Sequence, residues 1–220
     1  MKSIIVLSGG MDSTTALYYA DKVLNHDLVA TICFNYGSKH NDREYEYARY
    51  QSAMHIIPCI RVDLQEIGKH LKSDLLKSGG NIPEGHYADP SMKKTVVPFR
   101  NGIMLSVAAG IAESMGAKAI VLGNHFGDHA IYPDCRSSFV EPMKQAIIEG
   151  TYEKIELVTP FTFKTKAEIA GIGAELGVDF AQTYSCYNGG EFHCGKCGTC
   201  FERKEAFVLA GLSDPTDYMS

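Results

Sequence analysis

The stretch LSGGMDSTTAL, residues 7–17, determines how the rest of this sequence is interpreted. It follows the apolar run Ile4 to Leu7 and precedes a segment with a helical pattern, so it stands where a first buried strand ends. Glycines let backbone N–H groups turn toward an anion, and the N-terminus of the following helix adds positive potential. The stretch therefore predicts a phosphate-binding loop.

Asp12 is the unusual residue of this loop. A carboxylate beside phosphates repels them unless a divalent cation lies between, so Asp12 predicts Mg2+ coordination. The loop is neither a Walker A loop, because no Gly-Lys-Ser/Thr follows, nor the dinucleotide fingerprint GxGxxG. Taken without its context, a Gly-Gly turn after a strand is also compatible with a simple tight connection.

Strand and helix patterns alternate along the chain. The predicted strands span residues 2–7, 27–34, 55–64, 118–124 and 154–160, and the predicted helices span residues 13–25, 41–54, 65–77, 101–117, 139–152 and 165–177. This alternation is typical of an α/β fold with a doubly wound parallel sheet of five strands. Residues 78–94 are rich in Gly, Pro and charge and are too long for an ordinary connection, so we expect a mobile insertion or lid.

Composition restricts the class of protein. The 220 residues are 45% apolar, which is enough for one ordinary soluble domain. The N-terminus is too short in apolar residues for a signal peptide, and no run of about 18 apolar residues occurs, so we expect a cytoplasmic protein without a membrane partner. The net charge of -5 and the lack of a basic run argue against direct nucleic-acid binding and favour a small-molecule substrate.

Four of the seven cysteines form a second constellation near the C-terminus. Cys186, Cys194, Cys197 and Cys200 have the spacing CX7CX2CX2C, which is typical of a closed structural zinc site with one ion per chain. An iron-sulfur cluster is the alternative, because ferredoxins use similar runs. His193 is adjacent and could replace one thiol, or it could be simply solvated.

Several motifs together resemble a known family. SGGMDS resembles the pyrophosphatase loop (PP-loop) of the N-type ATP pyrophosphatases. With FNYGSKH (34–40), VPFRN (97–101), YPDCR (132–136), TPFTFKTKAE (159–168) and the cysteine cluster in this order, the chain resembles the 7-cyano-7-deazaguanine synthase family from about residue 3 to about residue 208. That family ligates ammonia to 7-carboxy-7-deazaguanine with ATP and dehydrates the amide to a nitrile, on the path to queuosine.

The resemblance implies an adenine nucleotide alpha hydrolase-like fold, with a PP-loop domain over residues 1–180 and a zinc-binding segment over residues 181–220 packed on it. It implies ATP, Mg2+ and Zn2+ as cofactors, ammonia as a co-substrate and a homodimer. It places ATP on residues 7–17, and Zn2+ on the four cysteines. The ATP-binding residues are Leu7, Ser8, Gly9, Gly10, Met11, Asp12, Ser13, Thr14, Thr15, Ala16 and Leu17.

Other candidate residues are predicted with an alternative for each. The predicted substrate-binding residues are Arg100, Asn101, Tyr132, Asp134 and Arg136, and the predicted catalytic residues are Asp12, Arg100 and Lys166. Arg100 contacts the substrate carboxylate or pairs with a nearby acid, and Asn101 serves as a helix N-cap. Asp134 accepts from the N–H groups of the guanine-like ring or caps a turn, and Lys166 reaches the phosphates or is an exposed first-turn lysine.

Two other functions stay open: a PP-loop sulfur transferase that acts on RNA, and a noncatalytic nucleotide- or zinc-binding module. The chain also departs from the family pattern. Phe99 stands where glycine is common, residues 125–127 differ while Asp128 matches, and the loop through residues 191–193 is shorter. These departures leave the shape of the substrate pocket unpredicted.

Overall fold

The fold is built on one five-stranded parallel sheet, as predicted. In the computed structural model, residues 1–125 and 131–219 are described. The strands lie in the order β3-β2-β1-β4-β5, so the strand order reverses between the neighbouring parallel strands β1 and β4. They are β1 Lys2–Val6, β2 Asp27–Asn35, β3 Cys59–Asp63, β4 Ala119–Leu122 and β5 Glu156–Val158.

Helices cover both faces of the sheet because successive strand residues point to opposite sides. Ile4 packs with α4 and α5 on one face, whereas Ile5 packs with α1, α2 and α6 on the other. The helices are α1 Met11–Lys22, α2 Asn41–Met54, α3 Gln65–Gly68, α4 Arg100–Ser114, α5 Ser137–Gly150, α6 Lys166–Leu176 and α7 Gly198–Leu209.

The helix predicted over residues 65–77 is wrong beyond its first turn. α3 ends at Gly68, where a Cβ would lie 2.1 Å from the carbonyl oxygen of Tyr36. Leu75 and Leu76, which suggested a helix, are buried in the core from an irregular segment. Its backbone bonds go elsewhere: Leu75 O accepts from Lys39 N, and Asp74 N donates to Lys94 O. Long-range pairing replaces the local helix.

Two other boundaries differ from the predictions. β3 begins at Cys59, directly after Pro58, because proline has no N–H to donate to the sheet. The second difference is α7, which was not predicted at all.

The segment Pro90–Ser114 is apolar and long enough to cross a membrane, but its α4 portion contacts β1 and β4 within the core.

The C-terminal segment shares its core with the sheet. Tyr184 and Cys186 belong to the same buried cluster as Ile4. The insertion over residues 78–94 packs on this segment, since Gly85 N donates to Lys196 O at 3.0 Å. These contacts place the insertion beside the carboxyl ends of the strands.

Candidate active site and metal centre

A cavity of about 220 Å3 opens at the carboxyl ends of β1, β2 and β4. One part of its wall is the PP-loop, another is the first turn of α4, and a third is the cysteine segment with Tyr87 and Met92 of the insertion. The polar and charged residues that line it include Ser8, Asp12, Ser13, Tyr36, His40, Glu44, Arg100, Asn101, Asn124, Tyr132, Lys166, Tyr184, Ser185, Tyr187, Thr199 and Glu202. Parallel sheets hold their ligands at this edge.

The PP-loop is compact because it bonds to itself. Ser13 Oγ accepts from Ser8 N at 3.2 Å and donates to Gly10 O at 3.2 Å, while Gly10 N donates to Ser8 Oγ at 3.3 Å. Gly9 has φ +78, and a Cβ there would lie 2.7 Å from Ala48 N in α2. The glycine therefore lets the loop press against α2, and α1 starts at Met11 facing the cavity.

Lys166 joins two acidic side chains inside the cavity. Its Nζ donates to Asp12 Oδ2 at 2.8 Å and to Glu202 Oε2 at 2.9 Å. His125 Nε2 lies 3.4 Å from the same nitrogen. The alternative that Lys166 is an exposed lysine is wrong, because only 12% of its side chain is exposed. Sequence reasoning missed Glu202 because nothing near Cys200 marks it.

Asp12 has the chemistry expected of a divalent-cation ligand. Burial raises the pKa of its carboxyl, but Lys166 and His125 lower it more, so the net pKa lies below its ordinary value and the group is ionised. Asp12 Oδ1 is buried without a hydrogen-bond partner among the described residues. An ionised, unpartnered oxygen beside a phosphate loop fits Mg2+.

Arg100 lines the same cavity and lies among aromatic side chains. Its Nη1 donates to Tyr36 Oη at 3.3 Å, and its guanidinium carbon lies 5.8 Å from the Tyr36 ring centroid and 5.9 Å from that of Tyr132. Tyr132 Oη lies 3.0 Å from Tyr187 Oη. A planar cation held this way is suited to a two-pronged contact with a carboxylate.

Asp134 is hydrogen-bonded to the helix that carries Arg100. Its Oδ2 accepts from Asn101 N at 2.8 Å, and its carbonyl accepts from Asn101 Nδ2 at 3.2 Å. Asn101 was predicted as the N-cap of α4, but that position belongs to Phe99, and Asn101 lies in the first turn. Asp134 and the exposed Arg136 do not line the cavity, whereas Arg100, Asn101 and Tyr132 do, so Asp134 contacts the cavity wall only from behind, through Asn101.

Glu44 and His40 also face the cavity, and neither was predicted. Glu44 Oε2 accepts from Asn41 Nδ2 at 2.9 Å, and its Oε1 lies 3.5 Å from His40 Nε2. Burial raises the pKa of Glu44 to about 7, although Arg100 and the Asn41 hydrogen bond oppose it. Burial, with Arg100, lowers the pKa of His40 to about 4. The sequence signal that could have identified this pair is the spacing of four residues between His40 and Glu44, which places both side chains on one face of a helix.

The four predicted thiols come together. The Sγ atoms of Cys186, Cys194, Cys197 and Cys200 all lie within 4.8 Å of one another. Cys197 Sγ is 3.4 Å from Cys200 Sγ, and Cys194 Sγ is 3.9 Å from Cys200 Sγ. Zn–S bonds of about 2.3 Å at tetrahedral angles place sulfurs about 3.8 Å apart. The group therefore fits one tetrahedral ion.

Hydrogen bonds also favour the thiolate form that metals bind. Cys197 N donates to Cys194 Sγ at 3.3 Å, and Cys194 N donates to Cys186 Sγ at 3.3 Å. His193 lies outside this group and is buried, with its Nε2 accepting from Ser185 N at 3.0 Å, so the prediction of a solvated side chain is wrong.

Comparison with known proteins agrees with this geometry. Residues 2–211 match the family described as Queuosine biosynthesis protein QueC. This chain belongs to the QueC family. A 7-cyano-7-deazaguanine synthase from Porphyromonas gingivalis is 54% identical over 98% of this chain and 96% of its own length. One from Caldicellulosiruptor bescii is 46% identical over 99% of this chain and 97% of its own length.

A solved structure supports the fold alone. The U34-tRNA thiolase NcsA from Methanococcus maripaludis, with its 4Fe-4S cluster, has a TM-score of 0.52 and 15% identity. The match covers 94% of this chain and spans 64% of that chain. The QueC match is consistent with nucleotide binding in a queuosine biosynthesis enzyme, and the cysteine cluster is consistent with metal binding.

The predicted departures from the family pattern can be located in part. Phe99 has φ 53 and ψ 30, in the left-handed region that glycine adopts most easily. His125 is buried beside Asp12 and Lys166. Phe126, Gly127 and Asp128 lie outside the described residues. In the loop 191–193, Glu191 and Phe192 are exposed and His193 is buried.

Proposed function

We propose that this chain converts 7-carboxy-7-deazaguanine and ammonia to 7-cyano-7-deazaguanine at the expense of ATP. The observation that carries the proposal is that the PP-loop, with Asp12 and Lys166, and the aromatic-lined Arg100 share one cavity. That arrangement offers a phosphate site and a carboxylate site close together. The names of relatives at 43–54% identity, covering nearly the whole chain, support this substrate and product.

The oxygen of a carboxylate or an amide is a poor leaving group, so each must be activated by ATP before it can be displaced. A carboxylate oxygen attacks the α-phosphorus of ATP, which forms an acyl adenylate and releases pyrophosphate. Ammonia then adds to the acyl carbon, AMP leaves, and loss of a proton gives the amide. The amide oxygen attacks the α-phosphorus of a second ATP and releases pyrophosphate, and loss of AMP and of both nitrogen-bound protons yields the nitrile. Each nitrile therefore costs two ATP and yields two AMP and two pyrophosphate.

The chain's own residues have distinct parts in this scheme. Backbone N–H groups from Ser8 to Ser13 stabilise charge on the departing pyrophosphate, as preorganised donors do. Lys166 adds a positive charge beside that loop, and Arg100 orients the substrate carboxylate. Asn101 and Tyr132 complete the substrate wall. We retain Asp134 and Arg136 as supports of that wall.

Two metals complete the proposal. When bound at Asp12, Mg2+ would neutralise charge on the phosphates. Cys186, Cys194, Cys197 and Cys200 would hold one Zn2+ with no open position, so that ion would stabilise the C-terminal segment and take no part in chemistry. The first 180 residues would then carry the nucleotide, and the remainder would form the zinc segment.

The proposal also includes free ammonia as the nitrogen donor, a homodimer and a cytoplasmic location. Sulfur transfer to RNA is the less favoured function, because the four thiols lie at ion-binding distances instead of presenting one free sulfur. A noncatalytic nucleotide- or zinc-binding module is also less favoured, because it would not explain the presence of Asp12 and Lys166 at the loop.

Mass spectrometry of products tests the proposal. The protein is incubated with ATP, Mg2+, ammonium and a panel of deazapurine carboxylates. We expect the nitrile only from 7-carboxy-7-deazaguanine, together with AMP and pyrophosphate. Asp12→Asn should fold normally and form neither product. Formation of ADP, or no conversion of any carboxylate, would refute the proposed reaction.

A further inference from the structure

Glu202 brings the cysteine segment into contact with the phosphate loop. It lies in α7, two residues after Cys200, and 9% of its side chain is exposed. Its Oε2 accepts from Lys166 Nζ at 2.9 Å, and the same nitrogen donates to Asp12 Oδ2 at 2.8 Å. One ammonium thus bridges a carboxylate of the PP-loop and a carboxylate of the cysteine segment.

The first turn of α7 carries two of the clustered thiols. Cys197 is the N-cap of α7, and its carbonyl accepts from Cys200 N at 3.0 Å and from Phe201 N at 3.1 Å. The thiols of Cys197 and Cys200 therefore belong to the turn that directly precedes Glu202. A metal bound by those thiols would add to the backbone bonds that hold this turn.

Lys166 is fixed on its other side by its own helix. It is the first residue of α6, after the capping box of Thr165 and Glu168. The direction of its side chain is thus defined at the backbone, and the position of Nζ is set by Asp12 and Glu202. If Asp12 turns toward a phosphate-bound cation, Glu202 still holds the ammonium at the loop.

We infer that Glu202 is a positioning residue that holds Lys166 at the PP-loop and so couples metal binding by the thiols to nucleotide binding. The inference rests on the ATP-binding part of the proposed function. Because coupling between two sites is reciprocal, bound nucleotide must also raise the affinity of the thiols for the metal by the same factor.

Equilibrium binding of α,β-methylene-ATP with Mg2+ tests the first half. The analogue has no cleavable bond between the α and β phosphorus atoms, so calorimetry reports binding without turnover. We expect Glu202→Gln to weaken binding about tenfold or more, because the amide oxygen can still accept from Lys166 but the negative charge that holds the ammonium is lost. Glu205→Gln, at an exposed position of the same helix, should bind like the wild type.

A double-mutant cycle separates positioning from a general loss of structure. In a Lys166→Gln background, Glu202→Gln should have no further effect on binding of the analogue, because both act on the same contact. Equal weakening in both backgrounds would overturn the inference. Wild-type protein that fails to bind the analogue would overturn the ATP-binding proposal as well, which distinguishes the two failures.

Metal affinity tests the second half. Protein loaded with Zn2+ is titrated with a competing chelator, and the Zn2+ that stays on the protein at equilibrium is measured with and without the analogue. The nucleotide should raise Zn2+ affinity severalfold in the wild type and in Glu205→Gln, and should have no effect in Glu202→Gln. The same increase in Glu202→Gln, or no increase in the wild type, would overturn the coupling.

Discussion

The carboxylate of Asp134 accepts a hydrogen bond from the backbone N–H of Asn101 at 2.8 Å. This contact ties the YPDCR segment to the first turn of α4, directly beside Arg100. The N–H groups of a first helical turn need partners outside the helix, and Asp134 supplies one. Asp134 therefore acts on Arg100 through the helix that carries it.

Asp134→Ala should lower the free energy of unfolding by about 1–2 kcal/mol, as loss of a helix cap does. Asp134→Asn keeps an acceptor oxygen and should lose less. Urea unfolding of both variants measures the difference. An Asp134→Asn protein with wild-type stability and no affinity for the carboxylate substrate would place this side chain on the substrate ring instead.

Phe99 has a strained, left-handed backbone and a side-chain ring that packs against Phe139. Its φ of 53 is costly for any residue except glycine, while its ring packs edge-on against Phe139 at 5.6 Å. Alanine would lose the ring and keep the strain, whereas glycine would relieve it. Phe99→Gly should therefore be more stable than Phe99→Ala by about 1 kcal/mol.

Thermal unfolding of the two Phe99 variants provides the comparison, with the same pair of substitutions at Phe163 as control. Phe163 is exposed and its backbone is not left-handed, so glycine should have no advantage there. An alanine variant at position 99 that equals the glycine variant would show that the backbone changes conformation.

Cys197→Ser should reduce bound metal and thermal stability together. Structural zinc contributes on the order of 10 kcal/mol to small zinc modules, so loss of one ligand should destabilise the C-terminal segment strongly. Metal analysis of the purified protein gives the ion and its stoichiometry, with one zinc expected per wild-type chain. Cys59→Ser, in β3 and away from the thiols, should keep its metal. Iron with a cluster absorbance would contradict the zinc proposal.

Glu44 should make stability depend on pH. Its pKa is raised by burial from 4.5 to about 7, so its contribution to stability is complete below pH 4.5 and is lost as the pH rises to about 7. Glu44→Gln does not titrate. The wild type should therefore lose up to about 3 kcal/mol relative to Glu44→Gln between pH 4.5 and 7.5.

Chemical unfolding of both proteins across this pH range measures the difference. His40 has the opposite sign, because its pKa is lowered to about 4 and its contribution is lost on acidification, but it is present in both proteins. Glu46→Gln, at an exposed position of the same helix, is the control. A difference between wild type and Glu44→Gln that does not change with pH would contradict the burial of this carboxyl.

Sequence patterns predicted those features whose residues are close together along the chain. The helix predicted over residues 165–177 is present as α6, with the capping box of Thr165 and Glu168 at its start and the left-handed Gly177 at its end. The spacing of the cysteines likewise predicted a group of sulfurs that are close in space. Each of these features depends on residues within a few positions of one another.

Features that depend on distant segments could not be predicted in this way. Glu202 reaches Lys166 across 36 positions, and Leu75 is buried through backbone bonds to a segment far along the chain. The pattern around Leu75 is equally compatible with a helix, so the prediction failed there. The proton affinity of Glu44 follows from burial by the whole fold, which no short motif encodes.

The stoichiometry of the second step tests the central claim most directly. The synthetic primary amide, 7-carbamoyl-7-deazaguanine, is supplied with ATP and Mg2+ but without ammonium, and AMP and nitrile are quantified together. If one site activates oxygen twice, the amide should give the nitrile with one AMP and one pyrophosphate for each molecule formed. An amide that remains unchanged, or ADP in place of AMP, would contradict adenylation at this cavity.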